Sequence, residues 1–181
     1  MMRKLKNEEL KRLSVSDFKA ARKFPVAIVL DDVRSRNNVG SAFRTADAFR
    51  IETIFLCGIT PRPPHRDINK TALGATDSVS WEYFEDRNQL LSELRERNYK
   101  ILVVEQVDGS QPLNQFQPLQ NSRYALVFGN EMFGVHQDFI DQSNACLEIP
   151  QHGIKHSLNI SVCIGVVTWD LFQKLGGLPD E

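Results

Sequence analysis

The chain has 181 residues, of which 41% are hydrophobic and 25% are charged, as expected for one globular domain. Its longest apolar stretch, residues 160–172, is too short to span a membrane, and residues 1–14 lack the apolar core of a secretion signal. We therefore expect a cytoplasmic protein without membrane segments.

Charge is distributed unevenly, although the net charge is only −1. Residues 1–23 contain eight basic and three acidic side chains, a local charge of +5, and four arginines cluster farther along: Arg34, Arg36, Arg44 and Arg50. Such patches can bind phosphate groups on a nearly neutral protein. Ordinary solvated charges are the alternative, above all for the N-terminal group.

Strands and helices alternate along the chain. An amphipathic basic helix is predicted within residues 1–23, with Pro25 ending it, and the β-favouring run 26–30 predicts a strand buried on both faces. Asn37 or Asn38 can cap the next helix. Further strands are predicted at 53–57, 101–104, 124–128 and 145–149, and further helices at 71–75, around 90–94 and from Ser157. This order predicts an α/β fold, a mostly parallel sheet with helices on both faces, in one domain over residues 24–181.

The last helix, predicted over residues 157–175, is apolar on nearly every side. Such a helix must be buried all round, and a sheet can cover only one side of it. We expect a second subunit to cover the other side, with burial inside a single chain as the alternative.

The cysteines and histidines do not form a metal or disulfide pattern. Cys57, Cys146 and Cys163 lack paired spacing, so we expect three buried reduced thiols. His152 and His156 are four residues apart, but a proline and a glycine make their segment a loop, and we predict no metal site.

Residues 38–44, Asn-Val-Gly-Ser-Ala-Phe-Arg, follow the carboxyl end of a predicted strand, where ligands bind in open α/β sheets. Asn38 and Arg44 are nearly two helical turns apart, so both can project towards the same end of the sheet. Arg44 needs a partner in this apolar setting. An ion pair with Asp31 or Asp47 is one interpretation, and a fork that binds an RNA phosphate is the other.

Residues 129–134, Gly-Asn-Glu-Met-Phe-Gly, follow another predicted strand. Their spacing matches a phosphate-binding loop, but Val135 and His136 replace the required lysine and serine or threonine, which excludes a P-loop nucleotidase. The two glycines permit close backbone approach by a ligand. Glu131 is either a helix-capping acid or part of a site.

Residues 156–161, His-Ser-Leu-Asn-Ile-Ser, lie at the start of the last helix. Ser157 can be a simple N-cap. Asn159 is harder to explain, because an amide at the opening of a buried helix needs hydrogen-bond partners that an apolar core does not offer. A ligand with polar edges could provide them.

In this order, and over residues 26–175, the three segments resemble the SpoU/TrmH branch of the SPOUT RNA methyltransferases. Residues 70–75, Lys-Thr-Ala-Leu-Gly-Ala, resemble a further feature of that branch. The resemblance implies a C-terminal trefoil knot, a homodimer through helix 157–175, and S-adenosylmethionine as cofactor. It implies methyl transfer to a ribose 2′-hydroxyl of RNA, with tRNA preferred and rRNA as the other substrate. Arg50 departs from the family, in which glycine is common at this position.

The resemblance also assigns residue roles. It implies catalytic roles for Arg44, Asn38, Glu131, Ser157 and Asn159. It implies a cofactor site formed by Phe128, Gly129, Asn130, Ile149, Pro150, Ser157 and Leu158. Arg44 either removes the hydroxyl proton with help from an RNA phosphate or stabilises the forming alkoxide.

Two other functions stay open. One is an RNA-binding or assembly protein that has lost catalysis, against which the intact Arg44, Glu131 and Asn159 argue. The other is a knotted methyltransferase that acts on a base nitrogen, which the Asn/Arg pair of the first segment disfavours.

Overall fold

The structure is a computed structural model that describes residues 2–10, 12–155 and 157–178, without the side chain of Asn7. His156 of the third segment, Lys11, and the ends of the predicted 1–23 and 24–181 units lie outside the described residues. None of the helices within the described part is long and apolar enough to cross a membrane.

Seven parallel strands form one sheet. They are β1 Phe24–Asp31, β2 Ile51–Cys57, β3 Trp81–Phe84, β4 Tyr99–Val104, β5 Gln111–Pro112, β6 Arg123–Phe128 and β7 Ala145–Glu148. Their order is β3-β2-β1-β6-β4-β7-β5, and every neighbouring pair is parallel. The predicted mostly parallel sheet is confirmed. β3 and β5 were not predicted, since neither contains an apolar run.

Helices cover both faces of this sheet, as predicted. They are α1 Val15–Ala20, α2 Arg36–Ala48, α3 Arg66–Ala72, α4 Ala75–Ser78, α5 Arg87–Glu96, α6 Gln137–Asp141 and α7 Ile160–Lys174, with 3-10 turns at Asn7–Glu9 and Leu113–Gln115. Alternate residues of β1 enter opposite cores. Ile28 packs with α2 and α7 on one face, and Val29 packs with α5 and α6 on the other.

The predicted N-terminal helix is wrong in extent. Residues 7–22 contain the short turn Asn7–Glu9 and, separately, α1. Ser14 begins α1 because its hydroxyl accepts a hydrogen bond from the Asp17 backbone N–H. Of the predicted apolar face only Phe18 is buried. Pro25 lies within β1 instead of ending a helix, next to an irregularity in the pairing with β2.

Two other predicted helix starts are also wrong by a few residues. Ser35, not Asn37 or Asn38, caps α2, and its hydroxyl accepts the Asn38 N–H at 3.3 Å. Asn159, not Ser157, caps α7, and its Oδ1 accepts the Ser161 N–H at 2.9 Å. In both cases several residues with capping side chains occur in a row, and the sequence alone does not rank them.

The predicted helix 71–75 is also displaced. α3 ends at Ala72, Leu73 adopts a left-handed conformation, and α4 begins at Ala75. The three cysteines are free, but only Cys57 is fully buried, whereas Cys146 and Cys163 are partly exposed.

Candidate active site

A cleft of about 360 Å³ lies at the carboxyl ends of β4, β6 and β7, beside the start of α7. This is the edge where parallel α/β sheets bind their ligands. Six of the seven predicted cofactor positions line the cleft: Phe128, Gly129, Asn130, Ile149, Ser157 and Leu158. Pro150 does not line it. Three of the five predicted catalytic positions, Glu131, Ser157 and Asn159, are in its wall, and Asn38 and Arg44 are not.

Sequence reasoning missed several lining residues: Val104, Glu105, Gln106, Leu147, Glu148, Gln151, Ile160 and Cys163. Glu105 and Gln106 had a usable signal, because they are polar residues directly after the predicted strand 101–104. The same rule that drew attention to residue 129 applies to them.

The charged side chains that line the cleft, among the described residues, are Glu105, Glu131 and Glu148. All three are acidic, so the cleft favours a positively charged ligand. Cys163 is neutral, because burial, assisted by the negative charge of Glu105, raises the pKa of its thiol to about 12. It is therefore part of the wall and not a nucleophile.

Glu131 connects the second of the three segments, residues 129–134, to the first, residues 38–44. Its carboxylate accepts hydrogen bonds from the Arg34 backbone N–H at 3.0 Å, the Ser35 N–H at 3.1 Å and Asn38 Nδ2 at 3.0 Å. Burial acts to raise the pKa of Glu131, but these donors outweigh it and hold the pKa below its ordinary value. Glu131 lies in a turn and not at the start of a helix of its own segment, and its carboxylate holds the backbone ahead of α2 and the side chain of Asn38.

Asn38 also meets the third segment. Its Oδ1 lies 3.5 Å from Asn159 Nδ2, which makes a long hydrogen bond. Glu131, Asn38 and Asn159 thus form one polar row from three distant parts of the chain, in which Glu131 and Asn159 line the cleft and Asn38 lies behind them, outside its lining. Ser157 lines the cleft as an exposed residue ahead of α7.

The turn from 129 to 134 is closed by its own backbone. Asn130 and Gly134 exchange two hydrogen bonds of 2.9 Å. A Cβ on Gly129 would lie 2.2 Å from the carbonyl carbon of Gly134, and a Cβ on Gly134 would lie 2.3 Å from Glu105 Oε2. The protein itself therefore fills the space that a side chain would need at either glycine, and Gly129 lines the cleft without one.

Gly40 in the first segment has a similar role. A Cβ there would lie 2.1 Å from Thr71 Oγ1, so glycine lets α2 and α3 pack closely. Thr71 Oγ1 in turn donates to the Asn37 carbonyl at 3.0 Å. This contact joins segment 70–75 to the start of segment 38–44.

Arg44 is exposed on α2 and makes no hydrogen bond or ion pair with any residue that the structure describes. The ion-pair interpretation is wrong, because both candidate acids bind elsewhere. Asp31 binds Arg87 and the His136 N–H, and Asp47 accepts from Ser78 Oγ at 2.6 Å. Arg44 does not line the cleft of its own chain.

A largely buried ion pair at the end of β1 stabilises the turn at residues 129–134. Arg87 at the start of α5 bonds Asp31 at 2.8 Å and also pairs with Asp32. The Asp32 carbonyl accepts from Asn130 Nδ2 at 2.7 Å. The end of β1 is thereby fixed to both α5 and the 129–134 turn.

The family model that describes the SpoU rRNA methylase family matches residues 25–169. The chain belongs to this family. The resemblance seen in the sequence is thus confirmed, and the Asn38, Glu131 and Asn159 row lies within the matched region.

Relatives with assigned substrates differ in the RNA they act on. The 23S rRNA (guanosine-2′-O-)-methyltransferase RlmB of Haemophilus influenzae is 28% identical over 174 residues, 93% of this chain and 68% of the relative. The tRNA (guanosine(18)-2′-O)-methyltransferase of Borreliella burgdorferi is 22% identical over 150 residues, 83% of this chain and 67% of the relative. An uncharacterised tRNA/rRNA methyltransferase of the same organism is 26% identical over 148 residues, 82% of this chain and 64% of the relative. The chain spans about two thirds of the length of these relatives.

Solved structures share the fold. An AdoMet-bound rRNA methyltransferase from Sinorhizobium meliloti superposes with a TM-score of 0.79 at 22% identity, covering 87% of this chain and 60% of that one. The TrmH/SpoU tRNA modifying enzyme of A. aeolicus gives a TM-score of 0.77 at 20% identity, covering 88% of this chain and 81% of that one.

Proposed function

We propose that this member of the SpoU family transfers a methyl group from S-adenosylmethionine to a ribose 2′-hydroxyl of RNA. The observation that carries the proposal is the polar row of Glu131, Asn38 and Asn159, two of whose members, Glu131 and Asn159, line an acidic cleft. Its three members are among the five residues that the family resemblance marks as catalytic. The rRNA and tRNA methyltransferases among the relatives are named for the same ribose chemistry.

The cleft suits this cofactor chemically. Leu147, Ile149 and Leu158 would provide apolar wall for a nucleoside, and Glu105 and Glu148 would offer negative charge to a sulfonium or ammonium group. When bound, the cofactor supplies an already activated methyl group. The protein has mainly to align the ribose oxygen and to accommodate the loss of its proton.

Arg44 is the proposed group for that proton loss. A guanidinium holds its own proton strongly, so stabilisation of the forming alkoxide is easier than direct deprotonation, which needs help from an RNA phosphate. Glu131 is a positioning residue, because it holds the backbone of residues 34–35 and the side chain of Asn38.

A homodimer through α7 is the assembly we propose. Val162, Val166 and Trp169 are large apolar side chains that remain exposed on this helix, and a second copy can bury them. Because Arg44 does not line the cleft of its own chain, we infer that it serves the cleft of the partner. Trp169→Glu should convert the dimer to monomers in sedimentation, with Leu119→Ala as an exposed apolar control that leaves the dimer intact.

The preference for tRNA over rRNA, the trefoil knot, the domain limits and the cytoplasmic location stay predictions. The test of function is incubation of the purified protein with tritium-methyl S-adenosylmethionine and either bulk tRNA or rRNA, followed by nucleoside analysis. A 2′-O-methylated nucleoside is expected. A methyl group on a base nitrogen would contradict the ribose assignment, and failure to bind the cofactor would favour an idle RNA-binding protein.

A further inference from the structure

Two large apolar side chains stand exposed on the turn between β6 and α6. Met132 is 71% exposed and Phe133 is 80% exposed, and neither lines the cleft. Single exposed apolar side chains are common on proteins, but two adjacent ones beside a ligand cleft indicate a contact surface.

The backbone that carries Phe133 is held rigidly. Asn130 Oδ1 accepts hydrogen bonds from the N–H groups of Met132 at 2.9 Å and Phe133 at 3.1 Å. The paired backbone of Asn130 and Gly134 closes the turn beneath them. A ring presented on fixed backbone loses little conformational entropy when it binds, so this turn is preorganised for a contact.

Two cations without partners lie on the neighbouring segment. Glu131, which precedes Met132, binds the backbone N–H of Arg34 and so places residues 34–36 beside the turn. Arg34 and Arg36 are exposed, and the guanidinium group of neither makes a hydrogen bond or ion pair with any of the residues described. Free guanidinium groups are suited to phosphate oxygens.

We propose that Phe133 stacks on an unpaired nucleobase of the RNA, next to the nucleotide in the active site, and that Arg34 and Arg36 bind the adjoining phosphates. The inference rests on the proposed function and adds a substrate contact to it. Aromatic rings stack on any unpaired base, and basic groups beside them follow the backbone. A second copy of the chain fits this surface less well, since covering it would bury guanidinium groups without partners.

Substitutions at Phe133 separate stacking from simple apolar contact. The probe is a fluorescein-labelled single-stranded RNA of mixed sequence, measured by anisotropy, and the same RNA with 2-aminopurine, whose fluorescence falls on stacking. Phe133→Leu keeps an apolar side chain but has no π-face, and we expect it to weaken RNA binding about tenfold and to remove the quenching. Phe133→Trp should bind at least as tightly as the wild type.

Matched controls lie at the amino ends of the strands, on the side of the sheet away from the cleft. Leu119, which precedes β6, is 62% exposed, and Leu119→Ala should leave RNA affinity unchanged. Arg34→Ala should reduce the slope of log affinity against log salt by about one, as expected for one lost phosphate contact. Arg95→Ala near the end of α5 should leave that slope unchanged. Calorimetry with S-adenosylmethionine and the melting temperature verify that each variant is folded.

The outcomes distinguish this inference from the proposed function. If the wild type methylates RNA but Phe133→Leu binds RNA as tightly as the wild type, the stacking contact is refuted while the function stands. Dissociation of the dimer by Phe133→Leu would instead assign the surface to a second copy and overturn the inference. If the wild type transfers no methyl group to any RNA, the proposed function fails.

Discussion

Glu131 and Asn38 are 93 residues apart in the chain, yet Asn38 Nδ2 donates to Glu131 Oε1 at 3.0 Å. The same carboxylate accepts the N–H groups of Arg34 and Ser35. The second segment, residues 129–134, therefore fixes the backbone and side-chain positions at the start of the first, residues 38–44. The negative charge of the Glu131 carboxylate maintains this arrangement.

Glu131→Gln should lower the stability at neutral pH by about 1 kcal/mol, a small value because the carboxylate is partly solvated. The pKa of Glu131 is lowered in the folded protein, so its stabilisation is present at neutral pH. It is lost as the pH falls through the folded pKa, below the ordinary value of about 4.3.

Urea unfolding at a series of pH values between neutral and acidic measures this effect. The Glu131→Gln variant should lose less stability on acidification than the wild type. Glu96→Gln, at an exposed glutamate on α5, is the control and should follow the wild type. Identical acid profiles for the wild type and Glu131→Gln would show that the carboxylate does not carry this linkage.

Arg44→Ala should abolish methyl transfer while S-adenosylmethionine still binds, because the side chain lies outside the cleft proposed for the cofactor. A tritium-methyl assay on RNA and calorimetry with the cofactor measure the two effects separately. Arg95→Ala is the control for the loss of an exposed arginine. Turnover comparable to the wild type in Arg44→Ala would remove this residue from the mechanism.

Mixed dimers test whether Arg44 acts across the interface. Arg44→Ala chains, expected to be inactive alone, and Gly129→Ala chains, expected to bind the cofactor weakly, should be more active mixed than either is alone, because one of the two sites then has an intact cleft and an intact arginine. No recovery from a mixture that demonstrably forms heterodimers would place Arg44 in its own chain's reaction.

Arg87→Ala should destabilise the protein by about 3 kcal/mol, since it leaves the fully buried Asp31 without its charged partner. Burial already raises the pKa of Asp31 even with Arg87 beside it. Arg97→Ala is the comparison, because its ion pairs with Glu82 and Glu93 are partly exposed and should be worth less than about 1 kcal/mol. Equal losses of unfolding free energy for Arg87→Ala and Arg97→Ala in chemical denaturation would contradict this distinction between the buried and the exposed ion pair.

Arg50 adopts a left-handed backbone conformation with φ of 48°. This explains why glycine is common at this position in the family. Arg50→Gly should be more stable than Arg50→Ala by about 1 kcal/mol, because both variants remove the side chain but only glycine avoids the steric cost. Thermal unfolding measures the difference, and methyl transfer should persist in both. An alanine variant as stable as the glycine variant would show that the backbone is not strained there.

Gly129→Ala should lower stability by about 2 kcal/mol and weaken cofactor binding, because its Cβ would overlap the backbone of Gly134 and Val135. Gly153→Ala is the matched control, since a Cβ at that position meets no atom within 4 Å. Calorimetric titration with S-adenosylmethionine provides the readout. Unchanged affinity in Gly129→Ala would mean that the turn can move without loss of the site.

Much of the fold could be read from local patterns. The apolar runs that form β1, β2, β4, β6 and β7 were predicted within a few residues, because burial selects β-branched and aliphatic residues, on both faces of the sheet in β1, β2, β4 and β6. β3 was missed because it is a half-buried strand at the edge of the sheet. The N-terminal helix was overextended because helical spacing alone does not ensure burial, and Leu10 and Leu13 remain exposed.

The sequence by itself determined the family, the order of strands and helices, and the polar segments that converge on the cleft, since these depend on residue type and short spacing. Only the tertiary structure decided that Ser35 and Asn159 are the caps, that Glu131 binds Asn38, and that Asp31 belongs to Arg87. The partners of these buried and half-buried polar groups lie tens of residues away in the chain, and only folding brings them within hydrogen-bond distance.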